Sequence, residues 1–110
     1  MCLCYTATMD EAIWAVVHRH LRSVFSKDVE AYQETTDEAL SLYEWFVTPH
    51  RLDGLDFHRF MIEGDWAGAG EGWRYDLLEP RLQVYGETAV ASYTFLLTRR
   101  VPGGLEHLTH

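Results

Sequence analysis

Cysteine is scarce in this chain: Cys2 and Cys4 are the only two in 110 residues. They stand too close for an ordinary structural bridge, and with no third or fourth a disulfide framework is excluded. A metal site on Cys-x-Cys alone carries little weight beside the plainer reading of two thiols near a chain end. Positive charge is scarce as well. Nine Lys and Arg stand against 17 Asp and Glu, for a formal charge of -8 and a pI near 5.1. A nucleic-acid partner needs a basic face and so does an anionic membrane surface, so neither is expected. No apolar run approaches the length of a membrane span. No basic segment precedes an apolar stretch, so no secretory signal is visible and a cytoplasmic location is expected. The glycine-rich run Ala67–Gly72 has no Lys-Ser/Thr after it and no strand feeding it, which excludes a phosphate-binding loop. No G-x-S-x-G is present. What remains is a chain with 47% hydrophobic and 14% aromatic residues, enough to fill the core of one domain.

The stretch Leu52–Trp66, LDGLDFHRFMIEGDW, organises the rest. It reads as a short helix between Gly54 and Gly64, the second of them suited to a left-handed cap. Phe57, Phe60 and Met61 share one face, and Arg59 and Glu63 are placed to pair on another. A helix this short needs tertiary support, so its apolar face is expected to plug a sheet or a longer helix.

Before it, residues 1–8 read as a short flexible lead-in and residues 9–110 as a single domain. Thr8 and Glu11 fit a capping box for a helix from Met9 to Phe25. Its stripe is Ile13, Val17, Leu21 and Val24, widened by Val16 and Phe25. His18 and His20 point to different sides, cannot share a metal, and read as solvated. Asp28 is a good N-cap for a second helix, Val29 to Thr36, with Val29 and Tyr32 inward. From Ala39 the bulky run Leu40, Leu42, Trp45, Phe46 and Val47 favours a strand that Pro49 ends.

After the glycine-rich loop, Trp73–Leu78 and Arg81–Tyr85 read as one strand that Pro80 bulges or confines to an edge. Leu82, Val84 and Tyr85 are core candidates. Gly86-Glu87-Thr88 turns the chain. Ala89–Val101 is apolar on both faces (Val90, Tyr93, Phe95, Leu96, Leu97), as a central or interface strand is. Pro102-Gly103-Gly104 suits a hairpin loop, and Leu105–His110 a returning strand. His107 and His110 are not expected to hold a metal.

Several of these segments, quoted as they stand, carry a resemblance. Gly54–Phe60, GLDFHRF, with Glu63 and Trp66 after it, resembles the segment following the first strand in the association (hub) domain of calcium/calmodulin-dependent protein kinase II. Lys27-Asp28-Val29-Glu30-Ala31-Tyr32 resembles that family's break between helices, and Tyr43-Glu44 its aromatic-Glu pair. Leu78-Glu79-Pro80-Arg81-Leu82 and Gly86–Tyr93 resemble its later strand and turn. The likeness runs from about Asp10 onward. It implies an α+β fold of the nuclear transport factor 2-like (cystatin-like, SnoaL-like) kind: a cone-shaped, curved antiparallel sheet packed against a long N-terminal helix, with the family's last two strands missing. It implies a stand-alone oligomerisation hub whose partner is itself, as a ring of dimers. There is no lysine strand, HRD-type loop or DFG, so no kinase activity is expected.

The same resemblance implies a small pocket for a carboxylate. Of its residues only His58 and Trp66 carry over; one pocket arginine falls at Phe95. Tyr43, His58, Trp66 and Phe95 are therefore the candidate ligand pocket, for a small molecule. This supports an alternative, a small-molecule-binding or isomerase-like protein of the same cone. His58, Tyr43, Tyr93 and Asp56 would then converge for proton transfer. The plainer reading, His58 held by a core hydrogen bond among packed tyrosines, has more weight. No catalytic residue, metal ligand or cofactor is assigned.

Overall fold

A computed structural model describes residues 2–44, 49–64 and 72–109, with the side chains of all but 2–8 and 108. Three helices and five strands follow in the order α1 (Cys2–Ser26), α2 (Val29–Glu34), β1 (Ser41–Leu42), β2 (Leu52–Asp53), α3 (Asp56–Glu63), β3 (Arg74–Tyr85), β4 (Thr88–Val101) and β5 (Gly104–Thr109). They divide into two compact units: residues 14–68, and residues 69–110 with the first 13.

In the helical unit, the end of α1 and the start of α2 share one break. Lys27 takes a left-handed φ of 59°. The Asp28 amide then reaches back to the Ser23 carbonyl at 3.0 Å, closing the last turn of α1 as a Schellman-type stop. The Asp28 carboxylate accepts from the Ala31 amide at 3.1 Å and so caps α2, as expected from its position. Helix α1 itself starts earlier than its capping box suggested. It runs from Cys2, so Thr8 and Glu11 lie within it and not at its entry. The expected strand after Ala39 is short: only Ser41–Leu42 pairs, antiparallel with Leu52–Asp53, and Trp45–Thr48 lie outside the described residues.

Helix α3 sits where GLDFHRF placed it, but two of its expectations fail. Gly64 has an ordinary φ of -82°, so the left-handed cap is not used. The left-handed glycine is Gly54, at φ 84°, which turns the chain from β2 into the helix while its amide donates to the Leu40 carbonyl at 2.7 Å. The inward face also differs. His58 and Ile62, four residues apart, are 5% and 4% exposed, whereas Phe57 and Phe60 are exposed. Two bulky faces compete on this helix, and spacing alone selected the wrong one. Arg59 and Glu63 do pair, at 3.0 Å.

In the sheet unit the order is β3-β4-β5, all antiparallel, with β4 central as its two-faced composition required. A register shift between Leu78 and Arg81 brackets Pro80. Glu79 takes φ 51° there, so the proline sits at a bulge on an edge strand, where its missing N–H costs no ladder bond. Tyr85 pairs with Thr88 across Gly86-Glu87, and Val101 with Gly104 across Pro102-Gly103. Both are two-residue hairpins, and Gly86 and Gly103 supply their positive φ. Phe95, Leu97 and Thr98 of β4 are buried. Across β4 and β5, Arg99 pairs with Glu106 at 2.6 Å, and Thr98 Oγ1 lies 3.0 Å from His107 Nδ1.

Candidate functional site

The four residues proposed for a ligand pocket fare differently. His58 is brought inside by α3. Its Nδ1 lies 3.3 Å from the Gly54 carbonyl, one turn back, which makes Nδ1–H the donor. Nε2, at the other end of the ring, is buried with no hydrogen-bond partner among the described residues. Tyr43 follows β1 and is 73% exposed. Phe95 is buried in the sheet unit, its ring 5.5 Å from that of Tyr75 and nearly parallel. Trp66 lies outside the described residues. Of the other residues considered for proton transfer, Asp56 is exposed in the first turn of α3 and Tyr93 is half-buried on β4. Burial, then the neighbouring Tyr75, raises the Tyr93 phenol above its ordinary range. The helical unit does have a cleft, of about 340 Å³, lined by Gln33, Glu38, Gly54, Leu55, Asp56 and Arg59. Neither Tyr43 nor His58 is among these lining residues.

A polar cluster that sequence reasoning missed surrounds His20. This ring was expected in solvent. Instead its Nδ1 lies 3.0 Å from Thr35 Oγ1 and 3.1 Å from Thr36 Oγ1, and the ring stacks on Tyr32 with centroids 4.8 Å apart. Tyr32 is 4% exposed. Burial and, next, the charge of Glu44 raise the Tyr32 phenol, with a Thr36 hydrogen bond partly offsetting them. His20, Ser23 and Val24 lie within one helical turn of each other, and Ser23 is fully buried with its hydroxyl donating to the His20 carbonyl at 2.5 Å. No local sequence signal marked this side of α1 as inward-facing.

The sheet unit offers a different kind of site. Residues directly opposite in neighbouring strands share a face. The pairs Leu78↔Thr94, Tyr85↔Thr88, Gln83↔Val90 and Arg100↔Leu105 put Leu78, Tyr85, Val90 and Leu105 on one face. Their exposures are 43, 62, 47 and 63%. Val84, another expected core residue, is exposed on the opposite face together with its partner Ala89. The expectation that Val84 and Tyr85 fill a core is therefore not met within one chain. Scattered apolar side chains are normal on a surface, but several on one face of a regular sheet form a flat surface that another protein can cover. Near Tyr85 the face is also ordered by a hydrogen bond: the Gln83 side-chain amide donates to the Tyr85 hydroxyl at 3.0 Å. Among the described residues, no group of three or more His, Cys, Asp and Glu is placed to hold a metal, and no helix is long and apolar enough to cross a membrane.

Comparison with known proteins identifies the family. Residues 9–110 match the family model described as the calcium/calmodulin dependent protein kinase II association domain. The chain is 26% identical over 93 residues to calcium/calmodulin-dependent protein kinase type II subunit delta of Oryctolagus cuniculus. That match covers 84% of this chain but only 17% of the relative, so the chain spans about a sixth of that protein's length. Among solved structures, the hub of the S. rosetta kinase superposes with a TM-score of 0.76 at 22% identity, covering 90% of this chain and 75% of that one. The hub homology domain of Chlamydamonas reinhardtii gives 0.77 at 22%, over 88% and 77%. The association domain of the C. elegans kinase gives 0.78 at 21%, over 94% and 79%. The three structures establish the shared α+β, nuclear transport factor 2-like fold, with its N-terminal helix and antiparallel strands. The family match across residues 9–110 establishes more: this chain belongs to the association-domain family of calcium/calmodulin-dependent protein kinase II.

Proposed function

We propose that this chain is a self-associating hub that forms a closed homo-oligomer, a ring of dimers, and that the sheet face bearing Leu78, Tyr85, Val90 and Leu105 is covered by another copy. The observation that carries this is the exposure of those four side chains on one face of a regular antiparallel sheet. Apolar surface removed from water stabilises a contact by about 25 cal/mol per Å² before the cost of association is subtracted. A rigid, strand-borne surface loses little conformational freedom when covered, which keeps that cost low. A twofold contact would use the face twice, since residue i meets j and j meets i, so each side chain counts in both copies. The acidic excess of the chain does not oppose this. The face itself carries Arg74, Arg81 and Arg100 at register positions among its apolar residues, and like charge elsewhere is screened within about 8 Å at physiological salt.

The test is the mass in solution by light scattering on a sizing column. Each chain contributes 12.8 kDa, and a discrete multiple of that mass is expected. The double substitution Tyr85→Glu with Val90→Glu places two carboxylates on the covered face, where an unpaired charge is strongly disfavoured. At least a tenfold weaker association is expected, with the circular dichroism of the fold retained because both side chains are exposed in the single chain. A folded monomer from the unsubstituted protein would overturn the proposal. An unchanged oligomer from the double variant would move the contact to another face.

A further inference from the structure

The helical unit holds two imidazoles that the hub reading does not use, His58 buried and His20 half-buried. His20 comes from the second half of α1 and His58 from α3. We propose that His20 is an acid-sensitive latch: as a neutral ring held against α2 and the turn after it, it keeps this unit closed near pH 7, and its protonation on acidification loosens the unit.

The geometry favours a neutral His20 ring. His58 is 5% exposed, and its Nδ1 is committed to the Gly54 carbonyl. A buried N–H without a partner is costly, and a buried charge without one is more so. The surroundings of His20 are polar but uncharged. From α2 and the turn after it come the Tyr32 ring and the hydroxyls of Thr35 and Thr36. A hydroxyl either donates or accepts, so it satisfies a neutral ring and gives the cation no counter-charge. Thr35 Oγ1 already donates to the Ala31 carbonyl at 2.8 Å, which leaves it an acceptor toward Nδ1–H of His20.

The charged groups nearby do not change this balance. On α1 the neighbouring Arg19 is paired with Glu34 of α2, and the charge of Glu44, after β1, acts on Tyr32. From α3 the titratable group acting on His20 is His58 itself, which would carry the same sign. Burial first, and repulsion from His58 second, hold the His20 ring below its ordinary value. The Tyr32 face attracts a cation weakly, and the two opposing effects outweigh it.

The sign of the linkage follows. The folded ring sits below the ordinary imidazole value, so just below about pH 6.5 the unfolded chain binds more protons than the folded one. Stability is therefore complete above that value. It declines as pH falls through the window between the unfolded and the folded ring.

Two measurements on the whole chain test the latch. In the unsubstituted protein, the His20 ring protons are followed by NMR from pH 7.5 to 5. The His20 ring is expected to titrate below the ordinary imidazole value of about 6.5; titration at or above that value would overturn the proposal. Thermal melts at pH 7.5 and 5.5 are then compared for the unsubstituted protein and His20→Leu. A drop of about 5 °C is expected in the first, and less than half of that drop in the variant. An equal drop in both would place the acid sensitivity elsewhere and sink the latch. Should His20→Leu not fold, the NMR titration decides alone. Mass by light scattering at each pH separates loosening of this unit from loss of the oligomer.

Discussion

The two units of this molecule are held together in different ways. The sheet unit leaves apolar side chains in the open: Leu78, Val84, Tyr85, Val90 and Leu105 are all more than two-fifths exposed. The helical unit encloses polar ones: Ser23 and His58 are buried, and the His20 cluster is partly so. The sheet unit can do this because its integrity rests on two long backbone ladders, β3 with β4 and β4 with β5. Ladder bonds do not depend on what the outward side chains are, so those positions are free to serve another molecule. Among its described residues the helical unit has only a two-residue ladder, β1 with β2. It must be closed by side chains, and each buried polar atom there needs a partner or incurs a cost. The difference separates an association surface from a unit whose stability is tuned from inside.

The sharpest way to break this comparison is within α3, where both behaviours occur side by side. Ile62 is 4% exposed and Phe60 is 58% exposed. Ile62→Ala is expected to destabilise the fold by about 2–5 kcal/mol, from lost transfer energy plus the cavity left behind. Phe60→Ala, although it removes more atoms, is expected to change stability by no more than about 0.5 kcal/mol in the isolated chain. Chemical denaturation with the oligomer dissociated reads both. Equal effects would mean that the inward face of α3 has been misplaced, and with it the burial of His58. A small effect of Phe60→Ala on stability accompanied by a change in oligomer mass would extend the association surface to the Phe57–Phe60 pair, whose ring centroids are 6.3 Å apart.

These faces also show what the sequence could and could not say. Punctuation was legible. Asp28 announced a cap, Pro80 a bulge and the glycine turns two hairpins, because each acts through its own backbone or through neighbours a few residues away. Centrality of β4 was legible because apolar residues on both faces need cover on both sides. The family likeness was legible in GLDFHRF and in the Lys27–Tyr32 break. The inward face of α3 was not. Phe57, Phe60 and Met61 satisfy helical spacing as well as His58 and Ile62 do, and only tertiary contacts decide between them. His20 was misread for a related reason. Its partners, Thr35 and Thr36, are 15 and 16 residues away, and no local pattern links a helix position to two hydroxyls beyond a break. The start of α1 was placed late because a capping box is a local preference, and a helix can run through it when the preceding residues also favour helix. The outward sheet positions were not legible: Val84 and Tyr85 were read as core residues, and both are exposed in the single chain, because an apolar residue near a hairpin end carries no local sign of whether its face is covered.

A smaller effect separates the two units at their punctuation. The break between α1 and α2 depends on one carboxylate, whereas the hairpins of the sheet depend on glycine backbones. Asp28→Ala removes the acceptor for the Ala31 amide and is expected to cost about 1 kcal/mol. The Asp28→Asn variant retains an acceptor and should recover most of it. Because the capped helix carries Tyr32, Thr35 lies just beyond it and both meet the His20 ring, the Ala variant should also broaden the His20 ring resonances. If only stability changes and those resonances do not, the cap and the His20 cluster are energetically separate.

The smallest effect expected is at the Arg59–Glu63 pair on the outside of α3. It has favourable i,i+4 spacing and a 3.0 Å contact, but its side chains are 52 and 54% exposed. Water and salt screen such a pair, and ordering two long side chains offsets part of the attraction. Glu63→Gln should therefore cost at most about 0.5 kcal/mol and lose even that in high salt. Thermal melts of the two proteins at low and at high ionic strength measure it. The value of so small a number lies in what a larger one would mean. A cost of about 2 kcal/mol or more that persisted at high salt cannot come from an exposed pair. It would require Arg59 or Glu63 to be covered in the working assembly, and would turn the outer face of α3 from a solvated surface into a contact between copies.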